Sequence, residues 1–463
     1  MDFLEACRRM IGTDSSPAAG TAEVGRFVEA LAGEMGLVTE LQHETWNGVD
    51  QANVIVRPPG LDAHETEERR PEFLLQTHLD TPDPGAYALW QKTGSNPFNA
   101  SIYQTEDGDV IHGLGAADTK LDFLCKLFAL KDLVDAGVGS QQSWRVPPVL
   151  VGTFGEELGM PGAVKLIRKK LVRPMAVLVG EPTAHRLVVA GKGFASVEIE
   201  VPFSKEEREF REAHNLSESA SSQSRIFRGQ AAHSSSPQLG ESAIGKMFDA
   251  LERLPNGVAV MEIEGGVNFN TVPAHSVLEI DLVAGLVEPM ALKIVKIRQA
   301  IRAVENEFKN FADAQFVPAE PTMNIGMIRT LDDHVRISGC VRLPPTVGQA
   351  AYEGWMQRLR AACREQGAEF RIGDYKPPFR TKEQADIIEV CQNTLTEMGL
   401  SAEPTAQSVA NEANVYSKFG LDVVVWGPGQ GVGNSHTPNE CVKLNDLDAA
   451  RDFYRRIMRR VSL

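Results

Sequence analysis

Four short runs of apolar, mostly β-branched residues punctuate the chain, and each one ends in a polar tip. Phe73-Leu74-Leu75-Gln76-Thr77 runs into His78-Leu79-Asp80, and Val149-Leu150-Val151-Gly152-Thr153-Phe154 into Gly155-Glu156-Glu157. Ala176-Val177-Leu178-Val179-Gly180 runs into Glu181-Pro182, and Val423-Val424-Val425-Trp426 into a glycine-rich loop that carries His436 and then Glu440. Runs of this length predict buried strands, and open α/β sheets keep their chemistry at the strand tips. Between the first two runs, His112-Gly113-Leu114-Gly115-Ala116-Ala117-Asp118 is a glycine-rich turn that leads into Leu121, Leu124 and Phe128 at helical spacing, so a helix starts near Asp118.

The tips carry the ligand types of a metal site. His78 can bind through one ring nitrogen, while Asp80, two residues along on the same strand face, can fix the ring through the other. Taken alone, the triplet also fits a surface histidine beside a turn, because Pro82 and Pro84 follow. Asp118 alone also fits an ordinary helix N-cap. Glu156 and Glu157 follow a buried strand and are bracketed by Gly155 and Gly159, where a neighbouring cation is the economical way to keep both ionised. Carboxylates and imidazoles at four strand ends form the ligand set of Zn²⁺, with Mn²⁺ and Co²⁺ suited to the same kind of site.

The tips fall before residue 185 and after residue 430, and the stretch between them has a different texture. An inserted domain over 186–377 divides a discontinuous catalytic domain of 1–185 and 378–463. Inside the insert, Ala195 to Val201 alternates as a strand, and the charged, serine-rich Lys205 to Ser224 predicts an exposed, partly disordered hairpin extension. Val277 to Val283 and Val335 to Arg342 are similar strands, each followed by a helical stretch; in the first of these Ile294, Ile297, Ile301, Val304 and Phe308 mark one buried face. A strand-helix unit therefore occurs twice.

In the order T-H-L-D-T, G-A-A-D-T-K, E-E-L-G, G-E-P-T, G-K-G, G-Q-A-A-H-S-S-S-P, N-T-V-P and H-T-P-N-E, the chain resembles the co-catalytic zinc peptidases and amidohydrolases. That family includes acetylornithine deacetylase, succinyl-diaminopimelate desuccinylase, aminoacylase and glutamate carboxypeptidase. The resemblance implies an α/β fold: a zinc-peptidase-like catalytic domain with a central mixed sheet flanked by helices, plus an inserted α+β lid and dimerisation domain. It implies two Zn²⁺ per subunit (Co²⁺ or Mn²⁺ in their place), with Asp118 bridging, His78 and Glu181 on one ion, Glu157 and His436 on the other, Asp80 behind His78, and Glu156 as general base.

On the lid, the resemblance makes His233 an oxyanion donor to a partner subunit's active site, in a homodimer formed through the lids. A lone histidine is otherwise more often inert. Arg342, in Val341-Arg342-Leu343-Pro344, is the candidate grip on a substrate carboxylate, against a plain surface arginine at a strand end, and Asn270 is a candidate polar contact. Two departures from the family pattern concern substrate range: Gly155 stands where an acidic residue is usual, and Thr119-Lys120-Leu121 where a methionine and a glycine are usual. The implied activity is hydrolysis of the linear amide bond of an N-acylated amino acid, a small molecule with a free carboxylate, in the manner of a deacetylase or desuccinylase. The alternatives are a di- or tripeptidase or carboxypeptidase on the same scaffold, or a non-catalytic binder, against which the intact Glu156 speaks.

Composition narrows the partners. With 463 residues and 43% hydrophobic content there is material for two cores, and a formal charge of −15 argues against nucleic acid. No apolar run reaches the ~20 residues needed to span a membrane, so no membrane partner is expected. Met1-Asp2-Phe3-Leu4-Glu5 lacks the basic and apolar parts of a signal peptide, and six scattered cysteines fit a reducing compartment, so the expected location is the cytoplasm.

Overall fold

The four apolar runs lie side by side as the strands Glu72–His78, Pro148–Thr153, Pro174–Gly180 and Asp422–Val425. Three pairings among them are parallel and in step: Thr77 lies opposite both Gly152 and Gly180, and Val425 lies opposite Val179. All four chain directions therefore agree, and the polar tips emerge along one edge of one sheet. The computed structural model describes residues 1–61, 71–138, 144–213, 223–255, 258–282 and 289–463.

The chain divides into two compact units, one of Met1–Ala190, Arg380–Thr405 and Asn411–Leu463, the other of Gly191–Phe379 and Ala406–Ala410. In the first, antiparallel neighbours flank the parallel strands and make the sheet mixed. The hairpin Val38–Trp46 and Val49–Arg57 joins through Val54 opposite Gly152. Leu187–Gly191, on the lid side of the sequence boundary at 186, instead adds here through Val188 opposite Val425.

Helices cover this sheet with apolar stripes. Leu444–Ser462 buries Leu447, Ala450, Phe453, Tyr454, Ile457 and Met458, the one-sided spacing of an amphipathic helix. The ring of Phe453 stacks on Trp426 with centroids 3.9 Å apart. Burial of large apolar side chains of this kind is worth about 1.5–3 kcal/mol each. Lys120–Asp135 is buried nearly all round and carries Lys120, Asp122 and Lys126 inside: Lys126 Nζ lies 2.7 Å from Asp122 and donates to Gln76 O and Thr77 Oγ1, both at 2.6 Å. That ion pair fastens the helix that begins just after Asp118 to the strand that ends at His78.

The second unit is built on a seven-stranded sheet over its own core, in which Ile199, Ile263, Leu278, Ile337 and Val341 meet Ile294, Ile297 and Trp355 from its helices. The repeated strand-helix unit is present as His275–Leu282 with Met290–Glu305 and as His334–Leu343 with Gln349–Glu365. All five apolar positions named for the first helix are buried. The expected hairpin over Lys205 to Ser224 is not one: Lys205–Ala213 is a helix, Gln223–Arg228 is a strand paired with His275–Leu282, and the disorder expected between them falls outside the described residues. The helix is anchored because Glu207 turns inward to accept the Met290 N–H at 2.7 Å, capping the helix Met290–Glu305 where Pro289 supplies no cap, while Arg211 donates to the carbonyls of Val260 and Met261. A charged segment read as solvated is thus fixed by two charges that reach the backbone. No helix among the described residues is long and apolar enough to cross a membrane.

Candidate metal centre

Two triads of ligand atoms converge at the strand tips of the first unit, His78–Asp118–Glu181 and Asp118–Glu157–His436, each with its atoms within 4.8 Å of one another. Asp118 belongs to both. Its Oδ1 lies 3.1 Å from His78 Nε2 and its Oδ2 3.3 Å from His436 Nε2, while His436 Nε2 is 2.9 Å from Glu157 Oε1. Asp118 does not cap the following helix, whose N-cap is Thr119. The glutamate pair is aimed by a tight turn: Gly155 has φ +73°, and a Cβ there would meet Pro161 Cγ at 2.8 Å, so the acidic residue usual in the family has no room in this backbone.

Asp80 holds the site differently from the sequence expectation. His78 Nδ1 lies 3.0 Å from the main-chain oxygen of Asp80 and 3.7 Å from its carboxylate. The carboxylate instead accepts the N–H groups of Glu156 at 3.1 Å and Glu157 at 3.0 Å. The ring is steered by a carbonyl, and the side chain steers the glutamates.

Two further carboxylates support the centre. Glu440 is buried and accepts the N–H groups of Ala117 at 2.8 Å, Asp118 at 2.9 Å and Gly115 at 3.3 Å. Glu412, at the start of the helix Glu412–Lys418, accepts from Thr153 Oγ1 at 2.8 Å and from Gln76 Nε2, and its other oxygen has no hydrogen-bond partner among the described residues. Glu440 stands in H-T-P-N-E without an evident task, and Asn411-Glu412 before an apolar stretch has the form of an ordinary helix start, so sequence gives little signal for either.

The titration of these groups shows how much negative charge has gathered. Burial, then the charge of Glu157, pushes the Glu156 carboxyl well above its usual range. Burial, with Asp118 adding to it, does the same to Glu181. Burial lifts Glu412 to about 7 and, with Asp118, Glu440 to about 8. The hydrogen bonds to Asp118 and Glu157 raise His436 to about 11. Burial opposes a charge on His78, yet its bond to Asp118 and the surrounding carboxylates push it well up. A buried oxygen of Glu181 has no hydrogen-bond partner among the described residues. Surplus carboxylates, two imidazoles and an orphaned acceptor fit a pair of divalent cations bridged by Asp118.

A sequence profile described as peptidase family M20/M25/M40 matches residues 74–460, which takes in every one of these ligands. The chain belongs to that family. It is therefore a member of a metallopeptidase and amidohydrolase family, with the catalytic α/β architecture and second domain of its structural neighbours. Among curated relatives, a probable carboxypeptidase of Aspergillus terreus is 28% identical over 57% of this chain and 56% of its own length. An acetylornithine deacetylase of Myxococcus xanthus is 25% identical over 78% of this chain and 76% of its own length. The chain thus spans little more than half of the first relative and about three quarters of the second. A family M20 metallo-carboxypeptidase from Sulfolobus solfataricus superposes with a TM-score of 0.60 over 99% of both chains at 17% identity, a likeness of fold.

In the second unit of this M20 chain, His233, Asn270 and Arg342 meet in one cluster. His233, exposed on the short strand Ala232–His233, has Nε2 3.1 Å from Asn270 Nδ2 and Nδ1 2.6 Å from Ser235 Oγ. Arg342 is buried at the end of its strand, not a surface arginine. It donates to Asn270 Oδ1 at 2.9 Å and Ser234 Oγ at 3.3 Å and lies over the Phe194 ring at 4.7 Å. Ser234 and Phe194 carried no separate signal in the sequence. Asn324 fixes Asn270 from below by donating to the carbonyls of Phe269 and Thr271, both at 3.0 Å.

Proposed function

We propose that the protein hydrolyses the linear amide bond of a small N-acylated amino acid with a free carboxylate, as a dinuclear zinc enzyme of deacetylase or desuccinylase type. The observation that carries this reading is the division of labour at Glu156–Glu157: Glu157 stands in a ligand triad shared with Asp118, whereas its neighbour Glu156 stands in neither. His78 and Glu181 on one side, Glu157 and His436 on the other, and Asp118 shared between them would hold two Zn²⁺ ions, or Co²⁺ or Mn²⁺ in their place, which when bound would polarise the amide carbonyl and acidify water. Glu156 takes the proton of the attacking water and delivers it to the departing nitrogen. Asp80 keeps Glu156 and Glu157 aimed through their N–H groups.

The resemblance supports substrate roles for the lid cluster. Arg342 offers a planar fork to the substrate carboxylate, Asn270 adds a polar contact, and His233 stabilises the negative oxygen of the tetrahedral adduct from a partner's lid in a homodimer. Six cysteines without a disulfide agree with a reducing, cytoplasmic setting, which is part of the same reading. The carboxypeptidase relative keeps a second reading open, cleavage of a short peptide at the same centre.

A panel of N-acetyl, N-succinyl and dipeptide substrates, run on protein reconstituted with Zn²⁺, Co²⁺ or Mn²⁺, tests the proposal and separates the two readings. Glu156→Gln is expected to keep two ions per chain while kcat falls by ~10²-fold or more, the scale of a lost general base. If the variant lost metal in proportion to activity, Glu156 would be a ligand and the assignment of the pair would fail.

A further inference from the structure

Glu440 carries no role in the reaction as described, yet the residue is 1% exposed and its carboxylate takes hydrogen bonds from three main-chain N–H groups of the Asp118 loop. Oε1 accepts from Ala117 and Asp118, and Oε2 accepts from Gly115. The contact is not an isolated one. Gly113 donates to the Glu440 carbonyl at 3.0 Å, His112 Nδ1 lies 2.9 Å from the Asn439 carbonyl, and Cys441 pairs with His112 in a strand ladder. Asn439 reaches the other way, accepting from Lys92 N at 2.7 Å and donating to Leu89 O at 3.2 Å. The loop that supplies His436 is therefore clamped to the loop that supplies Asp118.

We propose that Glu440 is a positioning residue: by receiving the N–H groups of residues 115, 117 and 118 it sets the backbone of Asp118 and, through that shared carboxylate, the spacing of both metal triads. The inference rests on the two-metal reading above. Asp118 offers one oxygen to each imidazole, so a tilt of its backbone displaces a ligand of both ions at once. His436, which adopts a left-handed φ of +58° on the same loop, is carried by the clamp rather than by regular structure. Outer-shell partners of this kind are typically worth about 10–100-fold in metal affinity.

The test is a Co²⁺ titration of the metal-free full-length protein, followed by visible absorption, with amide hydrogen exchange of the 113–118 loop measured on the same preparations before metal is added. Glu440→Ala is expected to weaken both Co²⁺ equivalents by about 10–100-fold and to speed exchange at Gly115, Ala117 and Asp118. Glu440→Gln retains an acceptor at the Oε1 position, so it is expected to speed exchange at Gly115 while sparing Ala117 and Asp118, with Co²⁺ affinity between the other two proteins. This graded pattern is one that general loosening does not produce, and the glutamine variant serves if the alanine variant does not fold. In a double-mutant comparison, Glu440→Ala is expected to add no further loss of affinity to Asp118→Ala. Unchanged exchange at Ala117 and Asp118 in Glu440→Ala, or a loss confined to one equivalent, overturns the proposal. A wild-type stoichiometry near one sinks the two-metal reading instead, while the exchange data still judge Glu440.

Discussion

Replacing Asp80 by asparagine separates two ways of holding the catalytic glutamates and the first histidine. If the carboxylate steered His78, the substitution would disturb the His78–Asp118–Glu181 triad. In the structure that ring rests on the Asp80 main-chain carbonyl at 3.0 Å, which the substitution leaves in place. The carboxylate oxygens serve Glu156 and Glu157, one N–H each. Asparagine keeps one acceptor and turns an amide donor toward the other N–H, so one hydrogen bond to a charged group is lost, worth about 1.5–3 kcal/mol. Expressed wholly in the aim of the glutamates, at about 1.4 kcal/mol per decade of rate, this predicts a fall in kcat of roughly ten- to hundredfold. Steady-state kinetics on the best substrate of the panel, elemental analysis for metal, and the His78 imidazole signals in a nitrogen-edited NMR spectrum measure the three consequences. The expected outcome is a reduced kcat with an unshifted His78 signal. A kcat within about threefold of wild type, or a shifted His78 ring with selective loss of its ion, would refute the reasoning.

Two further outcomes are expected. Arg342→Lys loses the planar fork that spans Asn270 and Ser234 and packs on Phe194, so KM for a substrate with a free carboxylate is expected to rise about tenfold or more with kcat little changed; a fall in kcat at constant KM would remove Arg342 from substrate binding. On the proposed reading His233→Ala removes an oxyanion donor, a loss of about 3 kcal/mol, so it and Glu156→Gln are each expected to be nearly inactive, and activity is expected to return when the two are mixed under subunit exchange; exchange without recovery would show that His233 does not act across a dimer.

What the sequence disclosed and what it hid differ in range. That His78, Glu157 and Glu181 would converge was legible because each side chain is local to an apolar strand, and a strand end is visible within about ten residues. Asp118 was ambiguous between ligand and N-cap, since both need a short carboxylate before a helix; the structure gives the N-cap position to Thr119 and brings His78 and His436 to opposite oxygens of Asp118. The Asp80 carboxylate lies 3.7 Å from the His78 ring, farther than its own carbonyl, and bonds the glutamates instead, because a strand pattern gives the face a residue shares, not which of two acceptors lies nearer a ring. Glu440 acts on residues 322 and more positions away and Glu412 on Thr153, 259 positions away, so no local pattern marks either. The helix Lys205–Ala213 was hidden for the opposite reason: its composition is that of solvated chain, and its order comes from Glu207 and Arg211 reaching distant backbone.

Beneath the ligands, one buried polar cluster touches all four strand tips, and its chemistry explains why the core there is not simply apolar. Asp122 accepts from Thr77 Oγ1 at 2.6 Å, the residue before His78, and from the hydroxyl of Tyr454, which lies 3.2 Å from the carbonyl of Trp426. Lys126 pairs with Asp122 and donates to Gln76 O and Thr77 Oγ1. Thr153, at the tip of the second strand, receives Gln76 Nε2 at 2.9 Å. Gly180, just before Glu181, leaves room for the pair, since a Cβ there would run into the Asp122 carboxylate and the Lys126 ammonium. A well-packed apolar substitute could match such a pair in stability, because desolvating two charges offsets most of their attraction. It could not match the pair in direction. Hydrogen bonds fix distance and angle where dispersion fixes only volume, and a candidate centre whose side chains come from residues 78, 118, 157, 181 and 436 depends on the relative placement of strands and helix to fractions of an ångström. The cost of burying Asp122 and Lys126 is therefore best understood as the cost of registering the ligand-bearing elements against one another, with the metal centre as the feature that requires it.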